Sequence, residues 1–313
     1  MNYIVYNMSI HDEHLCTYIS TCGFSLICDQ PPKYNRRNIS YNISFDTKRG
    51  DSIYVHCRDL VSLSKILPQF KNPIVILVGG DDNLFPSDYP REAVMAILES
   101  ENVLAIYSQN QCIVGHEKCK HLPIGLDYHT LNWESGNHLW GRTGLRATQQ
   151  EMVLKACQTK MKPLRECNAT PIVTNFQLAM KTPPRRAALR KPIYEALKDK
   201  AWMKWLDQMS RKDFWLSLSD VAFVVCAAGQ GLDTHRAYEV LCLGRIPIVQ
   251  KLPINEVYRE LPVWEVEDWN EFAKFTDQDF KYKLTEFIDK WNSYNFERLR
   301  LDFWRGVLEQ YKK

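Results

Sequence analysis

The chain has 313 residues, of which 45% are hydrophobic, 25% charged and 12% aromatic. That composition excludes a disordered, collagenous or small disulfide-stapled protein and leaves room for two domains with cores of their own. Forty basic residues stand against 37 acidic ones, a formal net charge of +3, too small to mark a nucleic-acid binder without a local patch.

The opening residues carry no basic stretch followed by an apolar run, and Asp12 and Glu13 interrupt the place where one would continue. No apolar stretch approaches the roughly 18–20 residues that cross a bilayer. A soluble, cytoplasmic protein without signal peptide or membrane anchor is expected. The ten cysteines are scattered with no Cys-x-x-Cys pair, so they read as free, buried thiols.

In the first half, residues 3–6, 24–28, 52–56, 74–78 and 103–107 read as short strands, and 60–70 and 91–99 as helices, the second behind the start signal Ser87-Asp-Tyr-Pro90. Strands separated by helix-length segments imply a parallel sheet with crossover helices. From 127 to 162 the pattern weakens: Gly136, Gly141 and Gly144 mark loops, and 148–160 reads as one amphipathic helix. A junction at Lys162-Pro163 divides the chain into an N-terminal Rossmann-like domain, 1–162, and a C-terminal one, 163–313. The second half repeats the theme, with strands at 171–174, 221–226, 246–249 and 264–266, helices at 186–200 and 234–243, and closing helices at 270–274, 281–292 and 297–311. The fold class is α/β, two lobes facing a ligand cleft.

The most informative segment is Gly229-Gln-Gly-Leu-Asp-Thr-His-Arg-Ala-Tyr-Glu239. A buried strand enters a loop containing Gly229 and Gly231, and a helix starts with Asp233 or Thr234 as N-cap. Bare glycine backbone and the unpaired N–H groups of a helix N-terminus favour phosphate. His235 and Arg236 in the first turn oppose the helix dipole unless an anion lies there. Glu239, one turn in, is placed to accept ribose hydroxyls. A tight turn without a ligand is the alternative for the glycine pair alone.

With the continuation Gly244-Arg-Ile-Pro-Ile-Val249, this segment resembles the C-terminal signature of exostosin-like glycosyltransferases. Ser210-Arg-Lys-Asp-Phe-Trp-Leu-Ser-Leu-Ser219, Leu261-Pro-Val-Trp264 and Trp269 resemble further elements of that family, as do Gly79-Gly-Asp-Asp-Asn-Leu-Phe-Pro86, Tyr107-Ser-Gln-Asn110 and His121-Leu-Pro-Ile-Gly-Leu-Asp127 upstream. The resemblance covers most of 79–269. It implies a GT-B fold of two Rossmann-like domains and transfer of a sugar from a nucleoside diphosphate sugar, a UDP-sugar by family, to a glycan or glycoprotein hydroxyl with inversion. Xylose and glucuronic acid remain open as the donor sugar.

Asn175, Arg185 and Arg186 follow the strand at 171–174, and guanidinium groups there can grip a diphosphate and neutralise the leaving nucleotide without a metal. Candidates for the base that takes the acceptor proton are Asp82 first, whose spacing to Pro86 resembles the family's Asp-x-x-x-Pro element, then Asp127, His129 and His56. No metal is expected. His11-Asp-Glu-His14 has no following Cys or His set, Asp277-Gln-Asp279 reads as a helix cap, and Asp81 with Asp82 is the stronger competitor, able to hold Mg²⁺ or Mn²⁺ with a diphosphate. Two other classes compete: a non-catalytic nucleotide-sugar or glycan binder, and a nucleic-acid binder using Arg185, Arg186, Arg190 and Lys191.

Overall fold

A computed structural model of the chain describes residues 11–35, 38–132, 136–178 and 184–313. The strand expected at 3–6 lies outside them. The first half begins with α1 (Thr21–Leu26), an antiparallel hairpin of β1 (Lys33–Asn35) and β2 (Asn38–Ser40), then β3 (Ser52–His56), α2 (Leu60–Ile66), β4 (Ile74–Gly79), α3 (Arg91–Glu99), β5 (Val103–Ser108) and β6 (Cys119–His121). β3 to β6 form one parallel sheet in chain order, with Ile53 opposite Ile76 and Ile76 opposite Ile106. Every residue of β3 and β4 is buried, as expected for strands covered on both faces by crossover connections.

Short pieces α4 (His129–Asn132), β7 (Asn137–His138) and β8 (Gly141–Arg142) lead to α5 (Ala147–Gln158). The second half runs β9 (Ile172–Thr174), α6 (Pro184–Leu197), β10 (Met203–Trp205), α7 (Arg211–Ser217), β11 (Phe223–Val225), α8 (His235–Cys242), β12 (Ile246–Gln250) and β13 (Trp264–Val266). Its parallel sheet has the order β10-β9-β11-β12-β13. Helices α9 (Trp269–Phe272), α10 (Asp277–Asp289) and α11 (Leu301–Glu309) follow. The fold is therefore mixed α/β with two parallel sheets, and the ten cysteines are free.

Three expectations are corrected. Residues 24–28 are not a strand: Ser20 caps α1 by accepting from the Gly23 N–H at 3.1 Å, and so short an apolar run does not separate helix from strand by period. The helix expected over 60–70 ends at Ile66, with a 3-10 turn Leu67–Gln69 around Pro68, because proline has no N–H with which to continue the helical hydrogen-bond ladder. The helix expected over 297–311 is interrupted at Arg300, which is extended. That break lets Ile19 donate to the Leu299 carbonyl and Leu301 to that of Thr17. The edge strands β6 and β10 were not expected at all.

Beyond the break, α11 crosses to the first half. Trp304 sets its ring edge-on against Phe24 and Tyr107, the Tyr107 and Tyr311 hydroxyls are 3.0 Å apart, and Lys312 reaches Asp29 at 2.7 Å. A continuous buried core runs from Val75 and Leu77 of the first sheet to Val224 and Val249 of the second.

Candidate functional site

In open parallel sheets the C-terminal strand ends are where loops form ligand crevices. Here the loops after β4, β9 and β11, with the starts of α6 and α8, enclose a cavity of about 420 Å³, within the size range of small-molecule sites. Asn175, Arg186, Gly229, Gly231, Asp233, Thr234, His235, Arg236 and Glu239 all line it. The Arg185 side chain lies outside the described residues.

The glycine loop does different work from that expected. Thr234 is the N-cap of α8, but the amides before it are already engaged. Asn110, in the loop after β5 with a left-handed backbone (φ 52°), accepts from the N–H groups of Leu232 and Asp233 at 2.9 and 3.0 Å. Thr234 donates to the Asp233 carboxylate, and Gly229 donates to the Gly231 carbonyl. Asp233 also accepts from the Ile124 N–H and from the hydroxyls of Tyr238 and Tyr258, at 2.7 to 2.8 Å. Gly231 is needed for close approach, since a Cβ there would lie 2.9 Å from Asp82 Oδ1 and 3.0 Å from Asn110 Nδ2. At Gly229, facing the cavity, a Cβ would meet nothing closer than 3.7 Å. The loop thus joins the two halves of the chain, and Asp233 ties them together by accepting from Ile124.

Positive charge in the cavity comes from arginines. Arg186 and Arg190, one helical turn apart on α6, line it with Arg236. Arg190 is held by the Ala228 and Gln177 carbonyls at 2.9 and 3.0 Å, with its guanidinium over the Phe176 ring. Burial, then the charges of Arg186 and Arg236, push its pKa down to about 10. The buried Nε of Arg186 has no hydrogen-bond partner among the described residues. Arg236 lies 3.7 Å above the Phe214 ring and bonds Glu239 Oε2 at 2.6 Å.

Glu239, expected to face a ribose, is buried and divided between two cations, with Oε2 on Arg236 and Oε1 3.2 Å from Arg211 Nε. Arg211 was missed by sequence reasoning. It is buried at the start of α7, donates to the Asp127 carbonyl and to Gln150, approaches Asp127 Oδ2 at 3.7 Å and packs on Trp140. One signal pointed to it: a cation in a first helical turn opposes the dipole, the same anomaly that singled out His235 and Arg236.

Asp127, named as a possible base, is committed elsewhere. It accepts from the Thr130 amide and hydroxyl, and His129 Nδ1 lies 3.3 Å away. The positive field of His129, His235 and Arg211 overcomes burial and holds this carboxyl well below its ordinary range, so it is a poor proton acceptor and a good anchor. His235 donates from Nδ1 to the Gly125 carbonyl at 2.7 Å, and burial lowers its pKa.

A second cavity, about 440 Å³, is lined by Tyr54, His56, Asp81, His129 and their neighbours. Asp82, Ile124 and His235 line both cavities. Burial and the adjacent Asp81 raise the Asp82 pKa against the pull of His235 and Arg186, moving it toward the strength a general base needs. Among the described residues, three metal-ligating side chains converge at two places, Asp127/His129/His235 and His11/Glu13/Cys22; Asp81 and Asp82 belong to neither. Asp279 completes a capping box with Thr276 at the start of α10, which accounts for Asp277-Gln-Asp279.

No protein-family model and no curated protein matches the chain. Among solved structures, an alpha-glucosyltransferase in complex with UDP and a 13-mer DNA containing a central A:G mismatch is similar at 12% identity and a TM-score of 0.32, over 79% of this chain and 73% of that one. No helix of the described residues is long and apolar enough to cross a membrane.

Proposed function

We propose that the protein is a glycosyltransferase that takes a sugar from a nucleoside diphosphate sugar, held in the arginine-lined cavity, and delivers it to a hydroxyl bound in the second cavity. In this reading the chain is GT-B in type, similar to the exostosin-like enzymes, with domains at 1–162 and 163–313. A UDP-sugar is the donor, and the acceptor is a glycan. The observation that carries it is the convergence of three guanidinium groups, Arg186, Arg190 and Arg236, on one cavity. Like charges gathered in a partly desolvated site favour a multivalent anion between them, and guanidinium groups match phosphate oxygens bidentately. Their position inside a cavity, rather than along an exposed stripe, suits a small anionic ligand better than nucleic acid.

The reaction this supports is a direct displacement with inversion. The acceptor oxygen bonds to the anomeric carbon, the bond from that carbon to the diphosphate breaks, and the acceptor proton passes to Asp82 between the two cavities. The arginines stabilise the charge left on the diphosphate, the role a divalent ion would otherwise fill. Thermal unfolding with UDP, GDP, ADP and CMP, each with and without sugar, tests the donor class. A ligand at 100 times its Kd stabilises by ~2.7 kcal/mol, and absence of a shift with every nucleoside diphosphate rejects the reading.

A further inference from the structure

We propose that His11, Glu13 and Cys22 form a site for one divalent transition-metal ion of the zinc class, separate from the arginine-lined cavity. His11 and Glu13 are buried and Cys22 is partly buried, and one ligand atom from each lies within 4.8 Å of the others. The grouping is not the one suggested by the spacing of His11 and His14, because His14 is exposed while Cys22 of α1 turns in beside Glu13.

Glu13 supplies the independent observation. Its side chain is 1% exposed, and Oε1 has no hydrogen-bond partner among the described residues. The other oxygen is anchored: it accepts from the Ser20 hydroxyl and from the Gly23 N–H at 3.1 Å. A buried carboxylate anchored by one oxygen and grouped with a thiol and an imidazole is costly alone and suited to a cation. Hydrogen bonds to the non-ligating oxygen are the outer support that orients metal ligands.

The donor set selects the ion. A thiolate, an imidazole and a carboxylate favour zinc over magnesium or calcium, which prefer all-oxygen cages. The Cys22 proton is released to solvent on binding. Asp127, His129 and His235 are a weaker alternative, since Arg211 stands 3.7 Å from Asp127 and the Gly125 carbonyl occupies one His235 nitrogen. His11 and Cys22 also line the second cavity, so three protein ligands would leave the ion's fourth position on the side where an acceptor would lie.

The 313-residue chain, stripped with EDTA and dialysed against Zn²⁺ alone, should retain stoichiometric zinc by elemental analysis. Reloaded with Co²⁺, it should show a thiolate-to-cobalt charge-transfer band. Cys22→Ser should abolish the band, and both Cys22→Ser and Glu13→Gln should weaken zinc binding by more than the roughly 10–100-fold that loss of an outer partner costs. Cys28→Ser, a buried cysteine outside the group, should change neither, with circular dichroism confirming each fold. Substoichiometric zinc or no charge-transfer band in the parent overturns the proposal. So does a parent-like zinc affinity in Cys22→Ser, or loss of zinc in His129→Ala alone.

Discussion

Asp82, after β4, rests against the bare Cα of Gly231, after β11, so close that a methyl group there would stand 2.9 Å from its carboxylate oxygen. Alanine at 231 must push Asp82 and Asn110 away, and overpacking of this kind costs ~1–3 kcal/mol. Gly231→Ala should lower the melting temperature and reduce turnover more than it reduces UDP affinity. Gly229→Ala, at a position with space, should leave the melting temperature near that of the parent.

Arg190→Ala should weaken UDP binding by ~1.5–3 kcal/mol, the range for a hydrogen bond to a charged group. Uridine binding should change far less, because the lost contact is to phosphate. Titration calorimetry with UDP and uridine separates the two, and equal losses for both ligands would place Arg190 on the nucleoside instead.

If Asp82 accepts the acceptor proton, Asp82→Asn should lower kcat by ~10²-fold or more with donor affinity nearly unchanged. The acidic limb of the parent's kcat profile should lie above the ordinary aspartate pKa, as burial and Asp81 raise this group. EDTA should leave UDP affinity unchanged. Loss of UDP binding in both EDTA and Asp82→Asn would instead make Asp81 and Asp82 metal ligands.

Arg211 neutralises two buried carboxylates, Asp127 and Glu239. Truncating one member of such a network costs ~3–5 kcal/mol, because the remaining charges stay buried without a partner. Arg211→Ala should therefore be among the most destabilising single changes, measurable by chemical denaturation. Arg236→Ala, at the more open end of the network, should cost less stability.

Acid should destabilise the fold in two stages. The folded-state pKa values of His235 and His56 are lowered by burial, so the unfolded chain takes up their protons first, and stability falls as pH drops below the ordinary histidine value of 6.5. Asp127, also lowered, contributes stability that is complete above the ordinary carboxylate value of 3.8 and lost below it. Unfolding free energy measured from pH 8 to pH 3 should show both declines, and His235→Gln should flatten the first.

Periodicity and end signals carried much of the fold. Ser52–His56, Arg91–Glu99 and Trp264–Val266 have the bounds their patterns indicate. Helix α10 starts four residues before its apolar pattern because the Thr276 and Asp279 capping box, not an apolar face, sets its beginning. Met203–Trp205 was hidden because its three residues, with exposed Lys204 in the middle, are too few for a period-two signal. In the site, the loop before α8 was legible but its use was not. The amides of Leu232 and Asp233 are taken by Asn110, more than 120 residues away in sequence, and no local pattern announces such a partner. Arg190 shares a helical face with Arg186 and was within reach of the same argument.

The return of α11 to the first sheet also bears on how the protein is made. Phe24 and Tyr107 lie far ahead of the ring that covers them, Trp304, nearly 200 residues further along the chain than Tyr107. During synthesis at ~5–20 residues per second, this aromatic face waits uncovered from the making of Tyr107 to that of Trp304. Contacts that span so much sequence also slow folding. The aromatic face of Phe24 and Tyr107 is thus covered only once Trp304 has been made.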